Sequence, residues 1–384
     1  MISMEWKSSW SLHLILNGLA AVLLLFLLTT LCGGTGEGAT ITVDDDGGAD
    51  YERIQDAIDN ATAGDTIRVF NGTYYENVVV NKTVSLVGNG SEVTVIDGRR
   101  LGSAIKITAD SCNVSGFLVR KGDSDWGESG ISVNSDHNHI FDNMCMDNSY
   151  GIAIYHSKYN SISNNTCSSC FIGILIYHSD NCTIEKNNCS RIEGQGIRLE
   201  ASENCTIQHN IISGGYYGIR LSYSQTCTIS NNNCFSNNYG IQLTGCGSSN
   251  ITNNTVTENR VGIHFMWSSY DNTAQFNEIV NNRDFGIEVH DNKGYTVQAQ
   301  FNWWGNATGP DNSSRNPRGT GDNVTDFVLF DPWLDELGNL VFLPTEEDPK
   351  RDPFYLLLAT LIALFAALVV VVRSPPRQQE KNQN

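Results

Sequence analysis

Residues 151–154 read GIAI, residues 173–176 read GILI and residues 196–199 read GIRL, and this phrase returns every 21 to 24 residues. The glycines that open it are Gly130, Gly151, Gly173, Gly196, Gly218, Gly240, Gly262 and Gly286. A fixed period of this length is typical of a solenoid, in which each repeat adds one structural unit to a stack. Because apolar residues alternate with other types after each glycine, the phrase itself predicts a β-strand.

The second half of each repeat contains turn-forming residues rather than helix formers. The segments SNNNCFSNNY (230–239) and TNNTVTENRV (252–261) are examples, and they argue against a leucine-rich repeat of similar period. An asparagine column follows each glycine by about fourteen residues: Asn143, Asn165, Asn187, Asn210, Asn232, Asn254 and Asn277. We expect these side chains to occupy left-handed corners and to bond to one another between turns. The repeat therefore predicts an all-β fold, a right-handed parallel β-helix.

Eleven cysteines are present, and most fall in the repeating columns. Two such columns are Cys167, Cys189 and Cys234, and Cys182, Cys205 and Cys227. Neighbouring turns are close enough for disulfide bonds along a column. We favour buried free thiols instead, because isoleucine and valine alternate with cysteine at these positions.

The two ends of the chain predict a surface protein with one membrane span. Residues 1–39 contain an apolar core after a lysine and read as a signal peptide or an N-terminal anchor. Residues 40–334 form the predicted β-helix ectodomain, and residues 335–352 an acidic linker. Residues 353–373 predict a transmembrane helix, because nineteen of them in a row carry no charge. The basic tail, residues 374–384, is then cytoplasmic, and the ectodomain is extracellular at the cell membrane.

A capping helix is predicted over residues 50–62, with Asp50 as its N-cap and Tyr51, Ile54, Ile58 and Ala61 on one face. Strands are predicted at TIRVF (66–70), NVVV (77–80), TVSLVG (83–88) and VTVIDG (93–98). This opening resembles the start of pectin-lyase-like right-handed β-helix proteins.

The closing segment agrees with this resemblance. FNWWGNATGP (301–310) followed by FDPWL (330–334) resembles the end of many secreted β-helix proteins. The middle repeats look like the NosD-type family of β-helix proteins, which act in copper-enzyme maturation. The resemblance implies the fold, and it implies an outer face that binds polysaccharide in the family's enzymes. Since this architecture hosts lyases, esterases, epimerases and binding modules, it does not by itself select an activity.

Candidate binding residues come from strand positions two and four after each glycine, which are predicted to point outward as a stripe. The stripe and its neighbours combine aromatic rings, arginines, histidines and a carboxylate, the groups that stack on sugar rings and pair with acidic sugars. The candidate carbohydrate-binding residues are Tyr155, Tyr177, His178, Arg198, Glu200, Arg220, Tyr223, His264 and Trp267. Catalytic residues are not identified, since no lyase, epimerase or esterase signature is present.

No cofactor is predicted, although two weaker metal candidates exist. His264, Met266 and His290 offer ligand types that copper accepts, as the NosD resemblance suggests. The acidic turn DDDGGAD (44–50) offers ligands for calcium.

The net charge of −18 argues against a nucleic-acid partner. Sequons such as those at Asn71, Asn181 and Asn250 are compatible with glycosylation of an extracellular domain. The sequence therefore predicts a membrane-anchored protein that binds polysaccharide or a cell-surface glycan. A polysaccharide lyase, epimerase or hydrolase, a copper-maturation protein and a purely structural envelope protein are the alternatives.

Overall fold

The computed structural model describes residues 38–122, 129–291 and 293–343. Within them the chain winds through three parallel sheets, and each turn of the coil adds one strand to each sheet. The architecture is an all-β parallel β-helix, as the repeat predicts. The described residues up to Val341 form one compact unit, and residues 342 and 343 are the described part of a second.

Sheet one is the longest of the three and has thirteen strands. Its strands are β1 (Thr40–Val43), β2 (Thr66–Val69), β5 (Ser85–Gly88), β8 (Asn113–Ser115), β11 (His139–Phe141), β14 (Ser161–Ser163), β17 (Thr183–Glu185), β20 (Thr206–Gln208), β23 (Thr228–Ser230), β26 (Asn250–Thr252), β29 (Thr273–Gln275), β32 (Val297–Gln298) and β35 (Val328–Leu329).

Sheet two has ten strands. They are β3 (Gly72–Tyr74), β6 (Thr94–Asp97), β9 (Leu118–Arg120), β12 (Met144–Met146), β15 (Thr166–Ser168), β18 (Asn188–Ser190), β21 (Ile211–Ser213), β24 (Asn233–Phe235), β27 (Thr255–Thr257) and β30 (Glu278–Val280).

Sheet three also has ten strands, and it contains the glycine-led phrases. They are β4 (Val78–Val80), β7 (Ile105–Ile107), β10 (Ile131–Val133), β13 (Tyr150–Tyr155), β16 (Ile172–Tyr177), β19 (Gln195–Glu200), β22 (Tyr217–Ser222), β25 (Tyr239–Thr244), β28 (Val261–Met266) and β31 (Phe285–His290). Two short pairs close the described chain: β33 (Pro310–Asp311) with β34 (Gly321–Asn323), and β36 (Trp333–Leu334) with β37 (Leu340–Val341). The four N-terminal strands predicted from sequence are confirmed as β2, β4, β5 and β6.

One helix, α1 (Ile54–Asn60), precedes the first complete turn and buries Ile54, Ala57 and Ile58. The prediction of Asp50 as its N-cap is wrong, because the cap position is Arg53. The side chain that binds the first N–H groups of the helix is Glu76, whose carboxylate accepts from Ile54 and Gln55. The Asp50 carboxylate instead accepts hydrogen bonds from the backbone N–H and the hydroxyl of Thr42. The helix is shorter than the predicted 50–62, and its role as a cap stays a prediction.

The interior is a set of columns in which the same residue type recurs on successive turns. Ile184, Ile207 and Ile229 are in register on sheet one and fully buried, and Cys145, Cys167 and Cys189 are in register on sheet two. The ten cysteines that the structure describes are all buried and free, which confirms the preference for thiols over disulfides.

The asparagine column forms a continuous hydrogen-bonded ladder. The side-chain oxygen of Asn210 accepts bonds from the backbone and side-chain N–H groups of Asn187, and its amide donates to Asn232. The left-handed corner, however, belongs to the residue before each ladder asparagine, such as Lys186 (φ 55°) or His209 (φ 56°). At each corner, backbone N–H and C=O groups lose the partners that they would have in a sheet. The ladder side chains supply these hydrogen bonds, and their own polar atoms are hydrogen-bonded in return although they are buried.

The glycine of each phrase is required by close approach between turns. A Cβ at Gly196 would lie 2.7 Å from the carbonyl oxygen of Gly218 and 2.3 Å from Cγ2 of Ile212. The repeated glycine therefore lets the backbones of adjacent turns stack at the entrance to sheet three.

Two predicted segments at the ends of the chain lie outside the described residues. They are the signal peptide, of which only residues 38 and 39 are described, and the transmembrane helix at 353–373 with its tail. Within the described ranges, no helix has the length and apolar character that a membrane span requires. The linker is described only as far as residue 343.

Candidate functional site

The outward surface of sheet three, here called the outer face, carries the predicted stripe. Ile197 and Leu199 of β19 point inward and are fully buried, so Arg198 and Glu200 between and after them point outward. In-register pairing places outward residues of successive strands directly beside one another, such as Arg198 beside Arg220 and His264 beside Glu288.

The outer face is far less exposed than the sequence predicts. Leu175 is 0% exposed, Gln242 3% and His264 5%, although all three point away from the interior. Large side chains at the position before each glycine, such as Tyr150 and Tyr239, stand beside these residues and screen them. The prediction of an exposed stripe is therefore wrong at these three positions, because strand spacing of about 4.8 Å lets neighbouring long side chains cover each other. Arg198, Arg220 and Glu288 of the same row are partly exposed.

The N-terminal part of the outer face is apolar. Ala153, Tyr155, Ile172 and Leu175 form a buried cluster against which Tyr150 and Tyr177 pack. The ring centroids of Tyr155 and Tyr177 lie 6.2 Å apart and tilted, and that of Tyr177 lies 4.4 Å from that of His178. Two of the predicted binding residues, Tyr155 and Tyr177, therefore belong to this cluster, and His178 contacts it edge-on from the turn that follows the strand.

The middle of the outer face carries two arginines. The Arg198 guanidinium forms an ion pair with Glu200 on the same strand. The Arg220 guanidinium lies over the ring of Tyr217, 4.9 Å from its centroid. Both arginines are partly buried, so their charge acts in a region with less solvent screening than open surface.

The C-terminal part of the outer face centres on His264. Its Nδ1 lies 3.0 Å from the side-chain nitrogen of Gln242, and its ring stacks on Tyr239 with centroids 5.0 Å apart. Nε2 faces the Glu288 carboxylate at 3.7 Å. Burial lowers the pKa of His264 to about 4, with further lowering from His290 and Arg260, and burial raises the pKa of Glu288. His264 is therefore neutral at pH 7, with Gln242 donating to Nδ1 and the proton on Nε2.

Sequence reasoning missed Tyr239, Arg260 and Asp284 beside this group. Arg260 donates to Asp284 at 2.7 Å, and its guanidinium lies over the Tyr239 ring at 5.6 Å. The recurrent aromatic residue before each glycine was a usable signal for Tyr239. No comparable pattern points to Arg260, whose column holds glycine, tyrosine and asparagine on other turns.

Several buried polar atoms of the outer face have no hydrogen-bond partner within the described part of the chain. They are Gln195 Oε1, Arg198 Nε, Arg220 Nε, Ser222 Oγ, Thr244 Oγ1 and His264 Nε2. All belong to β19, β22, β25 and β28, so they share one surface over four adjacent turns. Away from this surface, such atoms occur singly, at Ser129, Asn188 and Trp304.

Tyr223 and Trp267 are not on the outer face itself. They lie at the turn that follows each sheet-three strand, in the same column as His178, and both are well exposed. The structure therefore divides the predicted binding residues into two groups, the outer face and this turn.

The metal candidates are only partly assembled. Met266 and His290 are in register on β28 and β31, but His290 Nε2 lies 3.4 Å from Asp291, and His264 faces Glu288. At the other end, ligand oxygens of Asp44, Asp45 and Asp46 lie within 4.8 Å of one another. The Asp45 carboxylate already accepts a hydrogen bond from the backbone of Thr73.

Comparison with known proteins agrees with the fold. A family model described as a right handed beta helix region matches residues 67–241 and 172–309. A search of curated proteins found no match.

Solved structures with the same architecture include a polygalacturonase from Erwinia carotovora ssp. carotovora. It is 11% identical with a TM-score of 0.52, over 78% of this chain and 98% of that one. The Dettilon tailspike protein is 13% identical, with a TM-score of 0.48 over 73% of this chain. A periplasmic alginate epimerase, AlgG, is 15% identical, with a TM-score of 0.43 over 70% of this chain and 73% of its own. This chain spans 64% of the tailspike's length, which is less than two thirds.

Proposed function

The chain belongs to the right-handed β-helix family, and from that premise we propose that it binds a polysaccharide or cell-surface glycan along the outer face of sheet three. The main observation in support of this proposal is the set of buried polar atoms on β19, β22, β25 and β28 that have no hydrogen-bond partner within the described residues. Buried polar groups in native proteins are almost always hydrogen-bonded to protein or to ordered water, so a group of six on one surface indicates partners from outside the chain, which water or a ligand can supply. A glycan, which carries many hydroxyl groups, supplies both donors and acceptors.

The side chains around these atoms fit the same ligand class. The partly buried Tyr177, supported from behind by the buried Tyr155, offers aromatic surface at one end, which suits the apolar faces of sugar rings. Arg198 and Arg220 are adjacent at the middle, where a guanidinium can bind a carboxylate or sulfate group in a bidentate manner. We therefore favour an acidic glycan at this face. The polygalacturonase shares the fold, which shows that a β-helix of this kind can act on such a polymer.

The test is affinity electrophoresis of the full-length protein in detergent, through gels that contain polygalacturonate, alginate, heparin or neutral hydroxyethylcellulose. We expect retardation by a polyanion, and the double variant Arg198→Ala/Arg220→Ala should bind it at least about tenfold more weakly. A matched control, Lys186→Ala/Arg318→Ala, removes two positive charges elsewhere and should keep native retardation. Equal retardation of both double variants, or no retardation of the native protein in any gel, would overturn the proposal.

A second candidate function, catalysis on the same glycan, is favoured by the His264–Glu288 geometry. The neutral His264 imidazole can donate a hydrogen bond from Nε2–H, and the half-buried Glu288 carboxylate, 3.7 Å away, can accept a proton. In this arrangement Glu288 would act as general base on a sugar hydroxyl, and the His264 N–H would stabilise the negative charge that develops on that oxygen. Incubation with the same polymers, followed by assays for new reducing ends and unsaturated products, tests this candidate. Turnover by the native protein that survives in His264→Gln and Glu288→Gln would remove these residues from it.

We also propose that residues 353–373 anchor the chain in a membrane, with the β-helix outside. This rests on their uninterrupted apolar sequence and the basic residues after them. Carbonate extraction of membranes from cells that express the full chain should leave it in the pellet. A chain that ends at residue 352 should instead be found in the soluble or secreted fraction.

A further inference from the structure

A second surface lies at the turn after sheet three, where aromatic side chains take an unfavourable backbone conformation. Tyr223 (φ 51°) and Trp267 (φ 54°) occupy this column, as do His156 and His178 on earlier turns. Residues with large side chains rarely adopt positive φ, because Cβ approaches the following carbonyl. The left-handed conformation itself recurs at the corners of the other turns, at Lys186, Ala201 and Glu258 for example, so Tyr223 and Trp267 are distinguished by the bulky, exposed rings that they carry there.

The turn of the coil that lies between the turns of Tyr223 and Trp267 has glycine at two surface positions, Gly245 and Gly247. Gly245 lies in the column of Tyr223 and Trp267, and a Cβ there would lie 2.9 Å from Cδ1 of Tyr223. A Cβ at Gly247 would lie 2.6 Å from the ring of Tyr270. The two tyrosine rings therefore occupy the space above the two glycines, one from the preceding turn and one from the following turn.

The rings remain open to solvent although they rest on the backbone. Tyr223 is 59% exposed, Trp267 54% and Tyr270 39%. We call the surface of Tyr223, Gly245, Gly247, Trp267 and Tyr270 the turn platform. Tyr223 and Trp267 are two turns apart, which at the strand spacing corresponds to about 10 Å. Rings at that separation can contact two positions along one extended glycan chain.

The chemistry of the turn platform differs from that of the outer face. Its polar groups are neutral: the Tyr270 hydroxyl lies 3.5 Å from the side-chain oxygen of Gln225, and Ser248 follows Gly247. Asp271 follows Tyr270 directly, and Asp291 occupies the column of Trp267 one turn later; both are acidic and would repel an anionic sugar. The exposed groups are aromatic rather than aliphatic, and such rings combine an apolar face with a polar edge, as a sugar does.

We propose that the turn platform is a separate binding site for uncharged pyranose rings, which stack on Tyr223 and Trp267. It rests on the proposed function only for the class of ligand, since binding here does not need the arginines of the outer face. Because stacking involves no ion pair, its affinity is insensitive to salt, whereas binding at the outer face weakens as salt rises.

The test is titration of the full-length protein with four neutral hexasaccharides, those of cellulose, xylan, mannan and laminarin, followed by tryptophan fluorescence and calorimetry. We expect at least one to bind, and the variant Tyr223→Asn/Trp267→Asn to raise its Kd at least about tenfold. Asparagine tolerates positive φ, so this variant keeps the backbone of the turn. The matched control, Ala201→Asn/Asp291→Asn, changes the same column on other turns (φ 48° and 49°) and should bind as the native protein does.

Two further outcomes separate this site from the outer face. Arg198→Ala/Arg220→Ala should bind the neutral hexasaccharide normally, and raising the salt concentration should not weaken that binding. Equal binding by the native protein and by Tyr223→Asn/Trp267→Asn, or failure of the native protein to bind any of the four, would overturn the turn platform. Either result leaves retardation by polyanions as an independent measure of the outer face.

Discussion

The two sides of sheet three are made by the same strands, yet they follow opposite rules. The inward column keeps one residue type over seven turns: Ile152, Ile174, Ile197, Ile219, Ile241, Ile263 and Ile287. The outward column beside it changes almost every time: Ala153, Leu175, Arg198, Arg220, Gln242, His264 and Glu288. An inward residue packs against copies of itself above and below, so one side chain suits all turns. The outward residues are free of that constraint, so their types vary from turn to turn.

Hydrogen bonding separates the two sides as clearly as sequence does. The ladder asparagines are as buried as the outward residues, but each finds partners on neighbouring turns. Thr244 and Ser222 are also buried and have hydroxyls without a partner in the described ranges. Interior polar groups therefore stabilise the coil through bonds between turns, whereas Ser222 and Thr244 on the outer face contribute no such bond within the described residues.

The largest expected effect comes from breaking the interior ladder with Asn210→Ala. The Asn210 amide donates to Ile184, Gln208 and Asn232, and its oxygen accepts from Asn187. Removal leaves several buried groups unsatisfied, so we expect the free energy of unfolding to fall by roughly 3–5 kcal/mol. Chemical denaturation followed by circular dichroism measures this change.

The matched control for the ladder is Asn233→Ala on the next strand of sheet two. Asn233 is exposed and lies next in the chain to the ladder residue Asn232. We expect a change within about 0.5 kcal/mol. Similar losses in the two variants would show that the ladder does not hold the coil together.

A smaller effect on stability is expected at the end of a second interior ladder, where an asparagine side chain donates to an ionisable carboxylate. Asn237, Asn259 and Asn282 form a second ladder, and the Asp322 carboxylate accepts its last two bonds from Asn282. Burial raises the pKa of Asp322 from its ordinary 3.8 to about 6. The folded state therefore binds this proton more tightly than the unfolded state does. Its contribution to stability is complete below about pH 4 and is lost as the pH rises through about 6.

Asp322→Asn keeps an oxygen that can accept both bonds but cannot ionise. We expect the variant to be more stable than the native protein at pH 7 by up to about 3 kcal/mol, and the difference to vanish near pH 4. Denaturation at a series of pH values, with the native protein in parallel, measures the difference directly. A difference that is constant with pH would contradict the pKa shift.

The sequence predicted the interior columns, in which the same residue type recurs, and much less of the outer face, where the residue type changes from turn to turn. A column such as Asn187, Asn210 and Asn232 is visible because selection for packing acts identically on each turn. The left-handed corner was placed one residue too late, because the ladder asparagine and the corner residue before it are both polar. Asp50 was assigned to the helix cap because its type favours that position. Its bonds to Thr42 depend on a contact that no local pattern encodes.

For the candidate site, residue types were predictable and their surroundings were not. The sequence places Arg198 and His264 on the outward side through period two alone. It does not show that Tyr239 covers His264, or that Arg260 reaches Asp284 on the next turn. Burial of the outer face depends on side-chain directions between strands, which a one-dimensional pattern does not contain. The same applies to Gly245. The sequence does not show why glycine is needed there, because the reason is the ring of Tyr223, which occupies the space that a Cβ would take.

The smallest expected effect is also the sharpest test of the contrast between the two sides. Thr244 on the outer face and Ser249 in the interior are both buried hydroxyl residues of the same turn. Ser249 accepts from the backbone of Cys227 and donates to Gly247, whereas Thr244 Oγ1 has no partner among the described residues.

Thr244→Val replaces an unsatisfied hydroxyl by a methyl group of similar size, so we expect stability to stay level or rise by about 1 kcal/mol. Ser249→Ala should lower it by about 1–2 kcal/mol, because it leaves the Cys227 N–H unpaired. Thermal melts of both variants show whether the two changes in stability have opposite signs. If Thr244→Val instead lowers the stability as much as Ser249→Ala does, the outer-face hydroxyls are structural, and they no longer support glycan binding.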